Sequence, residues 1–222
     1  MPPEEVAGRI DYTFLKHDAT LEAFDSFLER SLTFPFACVM VPPAFVTRAV
    51  GFCKRRTGAA CKVGSVAAFP LGYSSLRMKH HEMEEMLDQG ALEVDLVQNI
   101  ALFRSDFPAW RDEVWSCAEL ARSYRGALKL ILETNLLGDE EIVMGAKAAI
   151  EAGAHFLKTG TGYFGDARVE HVKTLRKAAG DRVQVKAAGG IKTFEQFRAM
   201  IEAGADRVGS SAGYEIVQSV KH

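Results

Sequence analysis

The sequence predicts an α/β fold, and within that class a (β/α)8 barrel. Short apolar runs alternate with longer amphipathic stretches from end to end of the chain, the pattern of β-α units winding a parallel sheet. Eight such units can be counted in 222 residues, a length at which such barrels occur as one domain, so residues 1–222 are read as a single barrel domain. A weak repeat supports the count: Asp88-Gln89-Gly90-Ala91, Glu151-Ala152-Gly153-Ala154 and Glu202-Ala203-Gly204-Ala205 each close a helix on glycine and open a strand. A doubly wound open sheet is the alternative arrangement of the same units.

In chain order the strands are expected at Arg9–Phe14, Ala37–Val41, Cys61–Ala67, Ala91–Val97, Ala127–Leu132, His155–Lys158, Val183–Ala187 and Arg207–Gly209. Helices are expected between them at Phe45–Arg56, Ser75–Asp88, Trp110–Tyr124, Asp139–Glu151, Arg168–Ala178 and Thr193–Ala203, and a short one opens near Ala212. Five residues beyond each repeat glycine lie Asp95, Lys158 and Gly209, which places all three at strand C-terminal ends, the rim where α/β barrels build active sites.

Strand alternation then assigns faces. The outer face of a barrel strand packs on helices and must be apolar. Leu92, Val94 and Leu96 satisfy that, as do Leu128, Leu130 and Leu132, then Val183, Val185 and Ala187, with His155 and Leu157 outward on the sixth strand. Their neighbours turn into the lumen, which is expected to hold Glu93, Asp95, Lys129, Glu133, Phe156, Lys158, Gln184 and Lys186, so that three acids meet three lysines. Charges taken out of water cost several kcal/mol, roughly, unless paired, and a charged lumen therefore points to function. The alternative for Glu93 with Lys129 is a purely structural pair.

Composition narrows the partner. With 27 Lys+Arg against 29 Asp+Glu and a net charge of -2, no basic surplus is available to neutralise a nucleic-acid backbone or an anionic membrane. A small molecule is the expected ligand. Cys38, Cys53, Cys61 and Cys117 show no C-x-x-C spacing and are read as reduced thiols, and the N-terminus lacks the order of a signal peptide, so a cytoplasmic location is expected. No apolar run approaches membrane-spanning length.

A lysine attacks a carbonyl only as the free amine, and with an ordinary pKa of about 10.4 it must be perturbed to do so near neutrality. Burial and a second ammonium both depress it. Lys158 and Lys186 end successive strands and should lie side by side, with Asp95 or Asp11 across the lumen moving protons through water. Glycine and hydroxyl residues crowd the last strand ends, in Thr159-Gly160-Thr161-Gly162, Ala188-Gly189-Gly190 and Gly209-Ser210-Ser211-Ala212-Gly213. Backbone N–H groups and a helix N-terminus there form an expected phosphate cradle.

These segments resemble a known family. Phe156-Leu157-Lys158-Thr159-Gly160-Thr161-Gly162 and Val185-Lys186-Ala187-Ala188-Gly189-Gly190-Ile191 look like the two lysine signatures of the 2-deoxyribose-5-phosphate aldolase family. Ile10-Asp11-Tyr12-Thr13-Phe14-Leu15-Lys16, Ala68-Phe69-Pro70-Leu71-Gly72, Glu93-Val94-Asp95 and Leu132-Glu133-Thr134 extend the likeness in order over nearly the whole chain. The resemblance implies reversible cleavage of 2-deoxyribose 5-phosphate to glyceraldehyde 3-phosphate and acetaldehyde by a class I mechanism, with no metal and no cofactor. It implies Lys158 as the Schiff-base nucleophile, Lys186 as the neighbour that lowers its pKa, Asp95 as the proton-transfer carboxylate and Asp11 as an assistant. The phosphate would lie against Gly189, Gly190, Ser210 and Ser211, near Gly209, Thr161 and Gly162.

The chain departs from the family's usual pattern at Gly160, where serine is common, at Met40-Val41, often asparagine-proline, and at Asn135, often cysteine or glycine. Gly160 and Met40 lie where substrate preference could shift. The alternatives are a class I aldolase with a different aldehyde substrate and a catalytically retired sugar-phosphate-binding barrel. His80-His81 with Glu82 is read as a solvated helix surface, since adjacent histidines face different ways. Trp110 and Trp115 are expected in the core or at a subunit contact, and a homo-oligomer, with a dimer favoured, is expected because many barrels self-associate through outer helices.

Overall fold

The computed structural model describes residues 1–55 and 61–220. Its strands are β1 Ile10–Thr13, β2 Cys38–Met40, β3 Val63–Ala67, β4 Glu93–Val97, β5 Ala127–Ile131, β6 Phe156–Lys158, β7 Gln184–Ala188 and β8 Arg207–Ser210. Every neighbouring pair is parallel and β8 pairs back onto β1, so the sheet closes as a TIM barrel and the open-sheet alternative is excluded. The helices are α1 Pro3–Ala7, α2 Leu21–Ser31, α3 Val46–Arg55, α4 Leu76–Asp88, α5 Ile100–Ser105, α6 Phe107–Ser123, α7 Asp139–Glu151, α8 Val169–Ala179, α9 Phe194–Glu202 and α10 Gly213–Ser219.

Local chemistry accounts for most boundaries. Thr193 caps α9 through a reciprocal box with Gln196, and Thr20, Asn99 and Asp106 each accept a backbone N–H at the start of α2, α5 and α6. The Asp106 cap and Pro108 in the first turn start α6 a turn earlier than the periodicity around Trp110 indicates. The repeat glycines Gly90, Gly153 and Gly204 all have positive φ, between 92° and 105°, the left-handed conformation that lets a helix turn directly into the next strand. The expected end of the third helix at Arg56 lies outside the described residues.

Alternation along the strands holds where the strands are regular. Val94, Leu96, Leu128, Leu130, Leu132, Leu157, Val185 and Ala187 are buried in the layer between barrel and helices. The expectation fails at strand ends: Leu92 is 46% exposed and Gln184 is exposed, because both lie at the open N-terminal end of the barrel. Trp110 is fully buried, whereas Trp115 is 55% exposed. The thiol expectation is also corrected. Cys53 near the end of α3 and Cys61 just before β3 are joined as a disulfide with their Cα atoms 5.7 Å apart. Cys38 and Cys117 remain buried free thiols.

Candidate active site

Lumen-facing side chains from six strands converge on one ionic cluster. Asp95 on β4 is its hub: Oδ1 accepts from Lys129 Nζ of β5 at 3.0 Å, and Oδ2 accepts from Lys158 Nζ of β6 at 2.7 Å and Lys186 Nζ of β7 at 2.8 Å. Asp11 on β1 pairs with Lys186 at 2.6 Å, with Lys129 at 3.1 Å and with Arg207 of β8 at 3.2 Å. Glu93, deeper in the barrel, pairs with Lys129 at 2.6 Å and with Arg207 at 2.8 Å. Alternation explains why these residues meet: Glu93 and Asp95 are two apart on β4, and Lys158 and Lys186 are register partners on adjacent strands.

The cluster differs from the sequence expectation at two residues. Glu133 is absent from it, because β5 ends at Ile131 and Glu133 turns into a left-handed conformation with φ 51°. Its Oε2 instead accepts from the Thr161 backbone N–H at 3.0 Å and the Thr161 hydroxyl at 2.5 Å. Arg207 was not anticipated, although alternation from Gly209 on the same strand would have turned it inward.

The electrostatics follow from burial and pairing. Burial pushes the Lys158 amine down to about 8, aided by the Lys186 and Lys129 charges and opposed by Asp95. Burial works to raise the Asp95 carboxyl, but Lys129, Lys158 and Lys186 outweigh it and hold the group well below the usual carboxylate range. Lys129 is held well above an ordinary lysine because its acidic neighbours, Asp11 first, overcome its desolvation.

A cleft of about 740 Å³, counted with its open mouth, leads from the C-terminal rim down to Asp95, Lys158 and Lys186. Thr161, Gly162, Gly189, Gly190, Gly209, Ser210 and Ser211 line one side of it, with Lys192 beside them, and Leu15, Met40, Phe69 and Tyr163 close the other. Gly162, Gly189 and Gly190 have φ of 88°, 119° and 68°, so the backbone here follows a course that side chains resist. Ser210 donates to the Ile191 carbonyl at 2.6 Å and accepts from the Ala212 N–H at 3.0 Å, which pins β8 to the loop after β7. Thr161 has both its N–H and its hydroxyl engaged by Glu133. Met40, at the foot of the cleft, lies 3.6 Å from Lys129 Nζ through its sulfur. Gly160 leaves room for Glu133: a Cβ there would lie 2.6 Å from Glu133 Oε1. Among the described residues, no cluster of His, Cys, Asp and Glu is arranged to hold a metal ion, and His80 is bonded to Ser116 at 3.0 Å.

Known proteins share this fold and are similar to the chain over nearly its whole length. The model of the DeoC/LacD family aldolases matches residues 10–219. A deoxyribose-phosphate aldolase of Caldicellulosiruptor saccharolyticus is 38% identical over 98% of this chain and 99% of its own, and one of Thermococcus kodakarensis is 40% identical over 98% of each. Among solved structures, the aldolase QR15 superposes with a TM-score of 0.90 at 33% identity, covering 97% of this chain and 96% of its own. A deoxyribose phosphate aldolase from Aeropyrum pernix, described as tetrameric, superposes with a TM-score of 0.91 at 31% identity over 99% of this chain and 92% of its own. A buried lysine cluster at the rim of a closed barrel and a family match over almost the entire chain lead to one assignment: this protein belongs to the DeoC/LacD family of aldolases.

Proposed function

We propose that this chain is a class I aldolase that reversibly cleaves 2-deoxy-D-ribose 5-phosphate to D-glyceraldehyde 3-phosphate and acetaldehyde, with Lys158 as the Schiff-base nucleophile. The observation that carries the reading is a buried Lys158 amine at the floor of the cleft, sharing one Asp95 oxygen with Lys186. The substrate is a small sugar phosphate, and residues 1–222 act as one barrel domain.

The chemistry proceeds from those positions. The free amine of Lys158 adds to the C1 aldehyde of the open-chain sugar, and loss of water from the carbinolamine gives an iminium ion. The C3 hydroxyl gives up its proton through water to Asp95, the C2–C3 bond breaks, and its electron pair moves into the iminium to leave an enamine on Lys158 as glyceraldehyde 3-phosphate departs. Protonation of the enamine at C2 and hydrolysis release acetaldehyde and restore the amine. Lys186 donates protons, and Asp95 passes them between the two lysines through water. Asp95 holds no proton at rest, because the ammonium groups around it, Lys129 first, outweigh its burial and keep it ionised. Asp11 orients Lys186 from the other side.

The substrate phosphate is assigned to the backbone N–H groups of Gly189 and Gly190 with Ser210 and Ser211, flanked by Gly162 and Gly209. Thr161 contributes by holding the loop, since Glu133 already occupies its polar groups. Location in the cytoplasm is proposed because a phosphorylated sugar does not cross a bilayer unaided; no described helix is long and apolar enough to cross a membrane. A homo-oligomer is proposed, with a dimer as the first expectation.

The test is incubation with acetaldehyde and borohydride followed by peptide mapping, beside an assay of acetaldehyde release from 2-deoxyribose 5-phosphate. Trapped mass on Lys158 together with acetaldehyde release is expected. Adducts with other carbonyls but no acetaldehyde would move the assignment to another aldehyde substrate, and phosphate-ligand binding without any imine would make the barrel a binding protein.

A further inference from the structure

The cleft shows only the top of the ionic cluster. Asp95, Lys158 and Lys186 line it, whereas Asp11, Glu93, Lys129 and Arg207 lie beneath and do not. These lower residues are nonetheless fully or largely buried and each forms ion pairs within the cluster. Among the described residues the cluster contains three carboxylates, Asp11, Glu93 and Asp95, and four cationic side chains, Lys129, Lys158, Lys186 and Arg207. Three negative charges are balanced by Lys129, Lys186 and Arg207. A charged Lys158 would be a fourth positive charge in a low-dielectric interior with no anion left to match it.

The other groups facing the cluster do not alter this count. From β2 come the Cys38 thiol, which burial keeps protonated, and the Met40 thioether, and the lumen-facing positions of β3 are Gly64 and Val66, which carry no charge. Glu133, a further buried carboxylate, lies above on the turn after β5; it is bonded to Thr161, forms no ion pair with any of the four cations and so stands outside the network counted here. Lys192 is at the exposed rim of the cleft.

Resting on the assignment of Lys158 as nucleophile, we infer that Lys129 and Glu93, which never meet the substrate, are positioning residues that set the charge state of Lys158 through the charge count of the barrel floor. Lys129 is the central member, since its single ammonium touches all three carboxylates. The same count acts on the reaction. An iminium on Lys158 is also a fourth positive charge, and cleavage of the C2–C3 bond removes it by forming the neutral enamine. The floor therefore favours both the free amine that starts the cycle and the bond cleavage that follows.

The inference predicts opposite displacements from opposite charge deletions, which a merely structural role for these buried residues would not produce. The pH dependence of kcat/KM and the pH dependence of borohydride trapping of acetaldehyde on Lys158 are to be measured for Lys129→Met, Glu93→Gln and the double variant. Lys129→Met leaves three anions for two fixed cations, so Lys158 takes the proton and the acid limb moves up by about 1–2 units, a tenfold or greater loss below the limb that recovers at higher pH. Glu93→Gln moves the limb down, and the double variant returns it to the position of the unaltered protein. Should Lys129→Met fail to fold, the downward displacement in Glu93→Gln carries the test alone. Limbs that stay in place, or move in the same direction in both single variants, would overturn the inference while leaving Lys158 as nucleophile. Absence of any Lys158 adduct in the unaltered protein would overturn the inference and the proposed function together.

Discussion

Lys158 and Lys186 are register partners on adjacent strands and donate to the same Asp95 oxygen, at 2.7 and 2.8 Å. One carboxylate oxygen between two amines is a favourable contact for one ammonium and a crowded one for two. From the sequence, burial and a second ammonium are both expected to depress the first amine, and the family resemblance gives the second role to Lys186. In the structure burial is the larger cause and Lys186 acts after it, against the pull of Asp95.

The first prediction concerns pH. Lys158 works as the free amine, and its pKa is lowered to about 8, so kcat/KM should rise with pH and level off above that value. Lys186→Met removes one of the influences that lower it. The acid limb should then move to higher pH, with about tenfold less activity at pH 7 for each unit moved, and the plateau above it should also fall because a proton donor is lost, as read from the pH–rate profile.

Asp95→Asn should separate catalysis from electrostatics. Loss of the carboxylate removes the pull that keeps the Lys158 proton, so adduct formation should persist at lower pH. Turnover should fall by about 10²–10⁴-fold as proton transfer is lost. Parallel measurement of borohydride trapping and acetaldehyde release distinguishes the two, and equal losses in both would contradict the relay role.

Gly160 and Glu133 make a prediction about substrate binding. Gly160→Ala places a methyl group 2.6 Å from the present position of Glu133 Oε1, so Glu133 must leave Thr161. The loop beside the phosphate cradle loses one or two charge-assisted hydrogen bonds, each worth about 1.5–3 kcal/mol. KM for 2-deoxyribose 5-phosphate should rise about tenfold or more with a smaller change in kcat, while cleavage of non-phosphorylated 2-deoxyribose should change less.

A stability prediction comes from outside the site. Lys79 on α4 and Glu113 on α6 form a buried pair at 2.6 Å, and Lys79 also donates to the Val97 carbonyl at the end of β4 at 3.3 Å. Glu113→Leu strands the Lys79 charge between two helices and should cost about 3–5 kcal/mol by urea denaturation. Replacing both, as Lys79→Met with Glu113→Leu, should recover most of the loss.

Much of the site was legible before any coordinates because alternation is a local rule. An inward Asp95 and an apolar Val94 constrain each other within a single strand, and the same holds for Lys158 beside Leu157 and Lys186 beside Val185. The rule failed where a strand stops: Glu133 lies beyond the end of β5 and takes a left-handed turn, and Gln184 opens to solvent at the first position of β7. Likewise, nothing in the spacing of Cys53 and Cys61 showed that the two would be joined.

By itself, then, the sequence determined the order of the β-α units, the inward direction of the lysines and acids, and the signatures of the aldolase family. Only the tertiary structure decided which counter-ion each charge meets, because that depends on closure of β8 onto β1 and on the stagger of strands far apart in the chain. Closure is what brings Arg207 against Asp11 and Glu93 and so completes the charge count around Lys158. A side chain's direction is a property of its own strand, whereas its electrostatic environment belongs to the whole barrel.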